Sequence, residues 1–75
     1  MQRYFFDFVS ECRSELDFTG RELRKPEAAL QLAELIALDE SMRGARLGWK
    51  VRVSDNVGKH LFSIPILESP ELMAA

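Results

Sequence analysis

The sequence predicts a small α+β domain in the order β-β-α-β-β, with one helix packed on one face of a mostly antiparallel sheet. Two alternating apolar stretches open the chain, a helical apolar pattern occupies its middle, and two further alternating stretches follow. A chain of 75 residues forms one domain at most. We place that domain at residues 1–67, and residues 68–75 predict a loose C-terminal tail because they lack periodicity.

The first predicted strand is RYFFDFV, residues 3–9. Alternation places three aromatic rings on the face that the helix should cover, namely Tyr4, Phe6 and Phe8. The opposite face receives Phe5, Asp7 and Val9. This strand therefore carries one fully apolar face and one mixed face.

A second strand is predicted in ELDFTG, after the polar turn SECRS. Pairing Val9 with Glu15 sets Leu16 opposite Phe8. The same register sets Phe18 opposite Phe6, so both strands would present apolar groups to one side. We therefore expect a hairpin in which Asp7 and Asp17 lie opposite one another on the outer face.

The segment KPEAALQLAELIALDESMRG predicts a helix, with Pro26 in its first turn and Gly44 just past its end. At 100° per residue, one contiguous stripe should face the sheet: Ala28, Ala29, Leu32, Ala33, Leu35 and Ile36. Three further apolar residues fall on or beside the polar side, namely Leu30, Leu38 and Met42. The helix thus has more apolar surface than one contact uses.

A second hairpin is predicted in GWKVRVSDNVGKHLFSIPI. A four-residue loop from Asp55 to Gly58 pairs Val51 with Phe62 and Trp49 with Ile64. A three-residue loop closed by Asp55 and Lys59 is disfavoured, because it would set Val51 opposite Ser63. In the favoured register Leu61 lies on the outer face of the sheet.

Composition excludes several functions. The net charge of −2 argues against nucleic-acid binding, and no apolar run is long enough to cross a membrane. Cys12 and His60 are the single cysteine and histidine, so neither a disulfide nor a structural zinc site can form within the chain. No catalytic motif is visible. We therefore expect a cytoplasmic, non-enzymatic protein without a cofactor.

The motifs RYFFDFV, GREL before a Pro-Glu-Ala-Ala helix, and GWKVRVSDNVGKHLFSIPI resemble a family of short uncharacterised proteins of rhizobia and related alphaproteobacteria. Members are similar in opening with an Arg-Tyr-Phe-Phe strand. The resemblance covers residues 3–66 and departs from the family in the first turn, where SECRS replaces a tight Asp-Gly loop. It implies a bacterial domain of unknown function, and no activity. A shorter stretch, DFTGRELRKPEAA, is similar to the HicB type of antitoxin domain.

The apolar excess suggests a module for protein contact, most simply a homodimer, since a domain this small gains stability from a partner. The interface candidates are Phe5, Val9 and Leu61 on the outer sheet face, and Leu30, Leu38 and Met42 on the outer helix face. A sheet-face or edge-strand interface is the first choice and the helix is the second. One alternative is a HicB-like regulatory domain. Another is a divalent-metal or acid/base site at Asp7 and Asp17.

Overall fold

The structure, a computed structural model, describes residues 1–68. One helix packs against a five-stranded antiparallel sheet, which confirms the predicted fold class. The strands are β1 (Gln2–Val9), β2 (Ser14–Glu15), β3 (Arg21–Leu23), β4 (Lys50–Ser54) and β5 (His60–Pro65), and the helix is α1 (Pro26–Arg43). The order across the sheet is β2-β1-β4-β5, and β3 pairs with the beginning of β1. Of the predicted tail at residues 68–75, only Glu68 lies within the described residues, and it is exposed.

The core lies between α1 and the face of the sheet that carries alternate residues of β1 and β4. Its buried apolar members are Tyr4, Phe6, Ala29, Ala33, Ala37, Val51, Val53 and Ile66. Phe8, Trp49, Phe62 and Ile64 are partly buried and pack against them. The alternation in β1 and β4 therefore predicted the core face of each strand correctly.

Both ends of α1 follow the sequence signals. Pro26 occupies the first turn, where its missing N–H removes no helical hydrogen bond. Gly44 takes a left-handed conformation with φ 69°, and its N–H donates to the carbonyl of Ser41 at 3.1 Å. A glycine suits this position because it has no Cβ to clash in that conformation.

The buried face of α1 differs from the predicted stripe. Ala29, Ala33 and Ala37 are fully or nearly fully buried at a spacing of four residues, which brings the helix backbone close to the sheet. Leu35 was predicted to face the sheet, and this is wrong because its side chain is 63% exposed. The error has a physical cause, because α1 carries apolar residues around its whole circumference and its hydropathy pattern does not single out one face. Leucines dominate that pattern, but the small alanines form the contact with the sheet.

The first hairpin has a register one residue away from the predicted one. Phe8 pairs with Glu15 and Val9 with Ser14, whereas the sequence favoured Val9 with Glu15. The turn explains the slip. Ser10 donates its N–H to the carbonyl of Arg13 at 2.8 Å, and its Oγ accepts the N–H of Arg13 at 3.1 Å, which closes the turn.

The second strand of that hairpin is also interrupted. It breaks into β2 and β3, and the residues between them, 16–20, leave the ladder. A slip of one residue reverses the face of every side chain, so the predicted apolar pairs do not form. Leu16 and Phe18 are instead exposed to solvent.

The second hairpin closes with the three-residue loop that the sequence disfavoured. Asp55 donates its N–H to the carbonyl of Lys59 at 3.0 Å. A β-bulge follows: Phe62 faces Val53 and His60 faces Ser54, so Leu61 is an extra residue between them.

The bulge restores the apolar register that the three-residue loop alone would lose. It places Ile64 opposite Val51, so the predicted pairing of Val51 with Phe62 is wrong by two residues. A shift of two keeps every side chain on its predicted face. Leu61 is the exception, because the bulged residue packs against the core instead of lying on the outer face.

Candidate functional site

Asp17 takes the place of the missing ladder between β2 and β3. Its Oδ2 accepts the backbone N–H of Phe6 at 3.1 Å, and its Oδ1 accepts those of Thr19 at 3.1 Å and Gly20 at 3.0 Å. One carboxylate thus accepts a backbone N–H of β1 on the side where no strand pairs with β1, between β2 and β3. It also closes the turn that follows Asp17. An acceptor side chain at this position therefore holds the interrupted strand against β1.

The environment of Asp17 favours its ionised form. Partial burial raises the pKa of Asp17, but the backbone N–H groups of Gly20, Phe6 and Thr19, together with the positive charge of Arg21, outweigh that effect. The pKa of Asp17 therefore lies below its ordinary value. A carboxylate held in this way does not act as a general acid near neutral pH.

Asp7 and Asp17 come together, but not as the cross-strand pair that the sequence predicted, because residues 16–20 leave the ladder. The link is a hydrogen bond from the backbone N–H of Asp17 to Oδ1 of Asp7 at 2.9 Å. Asp7 is buried and lies 3.6 Å from a guanidinium nitrogen of Arg52, its cross-strand neighbour. Both carboxylates are thus engaged with backbone donors or a fixed cation. Within residues 1–68, no group of three or more His, Cys, Asp or Glu side chains could hold a metal ion.

A cleft lies on the outer face of the sheet beside these two carboxylates, and we call it the outer cleft. It has a volume of about 320 Å³ and is walled by the 16–20 segment and the loop between β4 and β5. Its lining residues are Phe5, Asp7, Leu16, Asp17, Phe18, Ser54, Asp55, Asn56 and Gly58. Phe18 is 87% exposed, so most of its ring is available to another molecule.

Gly20 allows the 16–20 segment to pack closely on β1 beside the outer cleft. It has φ 75°, and a Cβ atom there would lie 2.8 Å from Cγ of Arg3 and 3.0 Å from the ring of Phe5. The 16–20 segment therefore crosses close to β1, and Phe5 is half-buried beneath it. The chain's own interrupted strand therefore covers part of the outer face of β1.

A second polar cluster joins three elements, and the sequence analysis did not identify it. Arg46 forms ion pairs with Glu15 of β2 and with Glu40 of α1, the latter at 3.0 Å, and its guanidinium lies 4.2 Å from the ring centre of Phe8. Arg43 also pairs with Glu40. We call Arg46, Glu15, Glu40 and Phe8 the Arg46 cluster.

The Arg46 cluster solves an electrostatic problem in the helix. Glu40 is buried, and an ionised carboxylate there needs compensating charge. The hydrogen bond with Glu15, followed by the one with Glu40, raises the pKa of Arg46, although burial acts in the opposite direction. Arg46 also adopts φ 50°, which is uncommon for a residue with a side chain.

The six predicted interface residues separate into different environments. Phe5, Val9 and Leu30 are half-buried, and Leu61 packs against the core. Leu38 and Met42 are exposed, by 42% and 69%. Leu35, which the sequence analysis assigned to the core, joins them. These three residues, Leu35, Leu38 and Met42, form what we call the outer helix stripe, on the side of α1 opposite its buried alanines.

A groove borders the outer helix stripe between α1 and β5. It has a volume of about 140 Å³. Leu38, Ile64, Pro65 and Leu67 form its apolar walls, and Leu67 is itself exposed. Glu34 and Ser41 also line the groove, and Leu38 belongs to both the groove and the stripe.

One further arrangement resembles a catalytic pair and is not one. Nε2 of His60 lies 2.8 Å from Oγ of Ser63, as a base would lie from a nucleophile. The same Nε2 lies 3.0 Å from the carbonyl oxygen of Phe62, which can only accept. Nε2 must therefore carry the proton, and it cannot take one from Ser63 in this geometry.

The helix α1, the one helix within residues 1–68, is not long and apolar enough to cross a membrane.

The family profile of a domain of unknown function, DUF6894, matches residues 3–68. No curated protein and no solved structure gives a significant match. The family match covers the whole predicted domain except its first two residues.

Proposed function

Since the chain belongs to DUF6894, a family of domains of unknown function, we propose from its surface that it is a protein-contact module that forms a homodimer through the outer helix stripe. The observation that carries the proposal is the position of Leu35, Leu38 and Met42. They are exposed, spaced by three and four residues, and opposite the buried face of α1. Such spacing is typical of a seam between two packed helices.

The groove beside the stripe supports a twofold arrangement. A volume of about 140 Å³ is close to the ~150 Å³ cavity that can hold one benzene ring, so it suits a single apolar side chain. In an antiparallel pair centred on Leu38, Leu35 of one copy would approach the partner's Met42. Each copy then offers both a projecting side chain and a groove, which is the self-complementarity that a twofold interface requires.

The edge of the sheet formed by β5 is protected against pairing, which favours an interface on α1 instead. β5 lies at the edge, and an unpaired edge strand is another common route to dimers. However, β5 contains the bulge at Leu61 and ends at Pro65, which has no N–H to donate. Both features protect edge strands from pairing with other chains. Association through α1 is therefore favoured, because neither the bulge nor Pro65 stands in its way.

The substitution Leu38→Asp tests this proposal. We expect light scattering to give the wild-type protein twice the mass of one chain, which is 8.6 kDa, at tens of micromolar. Leu38→Asp should give the mass of one chain, because a charge at the centre of an apolar interface costs more than the contact gains. Its melting temperature and circular dichroism report whether the fold is intact.

Val57→Asp is the matched control. Val57 is also highly exposed but lies in the loop between β4 and β5, away from α1, so this variant should remain dimeric. A monomeric wild-type protein would contradict the homodimer. A dimeric Leu38→Asp variant would contradict the helical interface, and dissociation by Phe5→Asp would then move the interface to the outer sheet face. Removal of residues 69–75 tests whether the chain's own C-terminus competes for the groove.

A metal site at Asp7 and Asp17 has a separate test. Both carboxylates already accept backbone N–H groups, so we expect Mg²⁺, Mn²⁺ and Ca²⁺ each to leave the melting temperature unchanged. An ion bound only to the folded state would raise it. A rise that Asp7→Asn abolishes would restore the metal hypothesis. The HicB-like alternative and the cytoplasmic location stay predictions.

A further inference from the structure

The outer cleft combines apolar walls with negative charge. Phe5, Leu16 and Phe18 supply the apolar surface, and three aspartates supply carboxylates. None of the nine residues that line the cleft is basic. A ligand that fits this surface therefore carries a positive charge and a flat or aliphatic part.

The domain contains one example of a side chain held by groups of these kinds. In the Arg46 cluster, a guanidinium lies over the ring of Phe8 and pairs with the carboxylates of Glu15 and Glu40. The outer cleft presents the same kinds of group, a phenylalanine ring beside carboxylates. The two sites differ in that the arginine of the first pairs with both of its carboxylates, whereas in the second Arg52 pairs with Asp7 and no ion pair within residues 1–68 involves Asp55.

The three aspartates of the cleft are not equally available. Asp7 already faces Arg52, and Asp17 accepts three backbone N–H groups. Asp55 uses only Oδ1, which accepts the N–H groups of Val57 at 3.0 Å and Lys59 at 2.8 Å. Within residues 1–68, no hydrogen bond involves its Oδ2. Asp55 is therefore the carboxylate that can bind a new cation, and the ring of Phe18 is the most exposed surface on which one could stack.

We propose that the outer cleft binds an arginine side chain of a partner protein, with the guanidinium stacked on Phe18 and paired with Asp55. Arginine suits the cleft better than lysine, because a planar guanidinium can stack on a ring and bind a carboxylate with two parallel N–H groups. The cleft is on the outer face of the sheet and the outer helix stripe is on the other side of the domain. A partner can therefore bind here whether or not the protein dimerises.

Titration of the ¹⁵N-labelled protein with short peptides tests this proposal. The probe is N-acetyl-Gly-Arg-Gly-amide, compared with its lysine and citrulline counterparts, because citrulline has the shape of arginine without its charge. We expect saturable amide shifts at Phe18, Asp55 and Gly58 with the arginine peptide and several-fold weaker binding of the lysine peptide. The citrulline peptide should bind about tenfold more weakly than the arginine peptide, because it loses both the cation–π contact and the ion pair. Concentrations up to about 20 mM would saturate even a site of millimolar Kd.

Variants then identify the groups. Phe18→Ala and Asp55→Asn should each weaken binding of the arginine peptide about threefold, as expected for exposed cation–π and ion-pair contacts. Asp39→Asn, which removes an exposed carboxylate on α1, should leave binding unchanged. The proposal is overturned if no shifts saturate at the cleft, if citrulline or lysine binds as well as arginine, or if neither cleft variant weakens binding. A failed dimer test with a positive peptide titration leaves this proposal standing.

Discussion

Replacement of Arg46 by methionine is expected to lower the free energy of unfolding by about 3 kcal/mol at pH 7, because it leaves a buried carboxylate without one of its two partners. Glu40 would keep only Arg43, whose side chain is far more exposed than that of Arg46. The substitution also removes the ion pair with Glu15 and the stacking on Phe8. Methionine keeps the length and apolar bulk of the side chain, so the loss reports charge and hydrogen bonding. Urea unfolding measures it.

Arg43→Met is the matched control, since it removes the other cation from the same carboxylate. Arg43 is mostly solvent-exposed, so we expect a loss below about 1 kcal/mol. Combining Arg46→Met with Glu40→Gln should recover part of the loss, because the uncompensated charge is then gone. An Arg46→Met variant as stable as Arg43→Met would show that Arg46 does not compensate the buried charge.

The backbone of Arg46 provides an internal check on that result. Its φ of 50° disfavours alanine, whereas glycine adopts it without strain. Arg46→Gly and Arg46→Ala both delete the side chain, so the difference between them measures the backbone strain of alanine less the extra entropy of glycine in the unfolded state. Glycine should be the more stable of the two variants by about 1 kcal/mol.

The sequence predicts the architecture of this domain well because alternation and helical periodicity are local signals. Tyr4, Phe6, Val51 and Val53 are buried on the face that alternation assigns to them. A two-residue error in the register of the second hairpin leaves each side chain on its predicted face. A one-residue error in the first hairpin reverses the faces of its second strand, so Leu16 and Phe18 lie at the surface instead of in the predicted core.

Both register errors arise from polar interactions that a hydropathy pattern does not contain. In the first hairpin, the turn closed by Ser10 and the carboxylate of Asp17 determine where pairing stops. In the second, Asp55 closes a three-residue loop and the bulge at Leu61 restores the apolar register. Hydrogen-bonding side chains at strand ends therefore fix the register within limits that the apolar pattern leaves open.

The candidate surfaces were predictable to different degrees. Asp7 and Asp17 were predicted to be neighbours from a register that does not form, and both their contact and their use as acceptors of backbone N–H groups depend on the break in the strand. The Arg46 cluster joins residues 8, 15, 40 and 46, and no spacing in the sequence indicates such a contact. The outer helix stripe was found in part, because the apolar excess of α1 was visible although the role of Leu35 was not.

Replacement of Asp17 by alanine is expected to lower the free energy of unfolding by about 2 to 3 kcal/mol at pH 7. Its carboxylate accepts three backbone N–H groups, and hydrogen bonds to charged groups contribute about 1.5–3 kcal/mol each before solvent exposure reduces them. The N–H of Phe6 would lose its acceptor in a partly buried position, which is the costliest part of the change. Urea unfolding measures the loss. Glu22→Ala is the control, because its exposed ion pair with Arg3 should contribute less than about 1 kcal/mol.

The pH dependence of the isosteric variant Asp17→Asn separates this role from that of a general acid. The pKa of Asp17 is lower in the folded than in the unfolded protein, so its stabilisation is complete above the unfolded pKa of about 3.9 and is lost as the pH falls through the folded pKa. The wild-type protein should therefore exceed Asp17→Asn in stability by a constant amount from about pH 5 to 7. Below about pH 4 the two stabilities should converge, because a protonated aspartic acid accepts no more hydrogen bonds than an asparagine. A difference that grows below pH 4 would contradict a depressed pKa. It would require that Asp17 is instead protonated in the folded state, as a general acid would be.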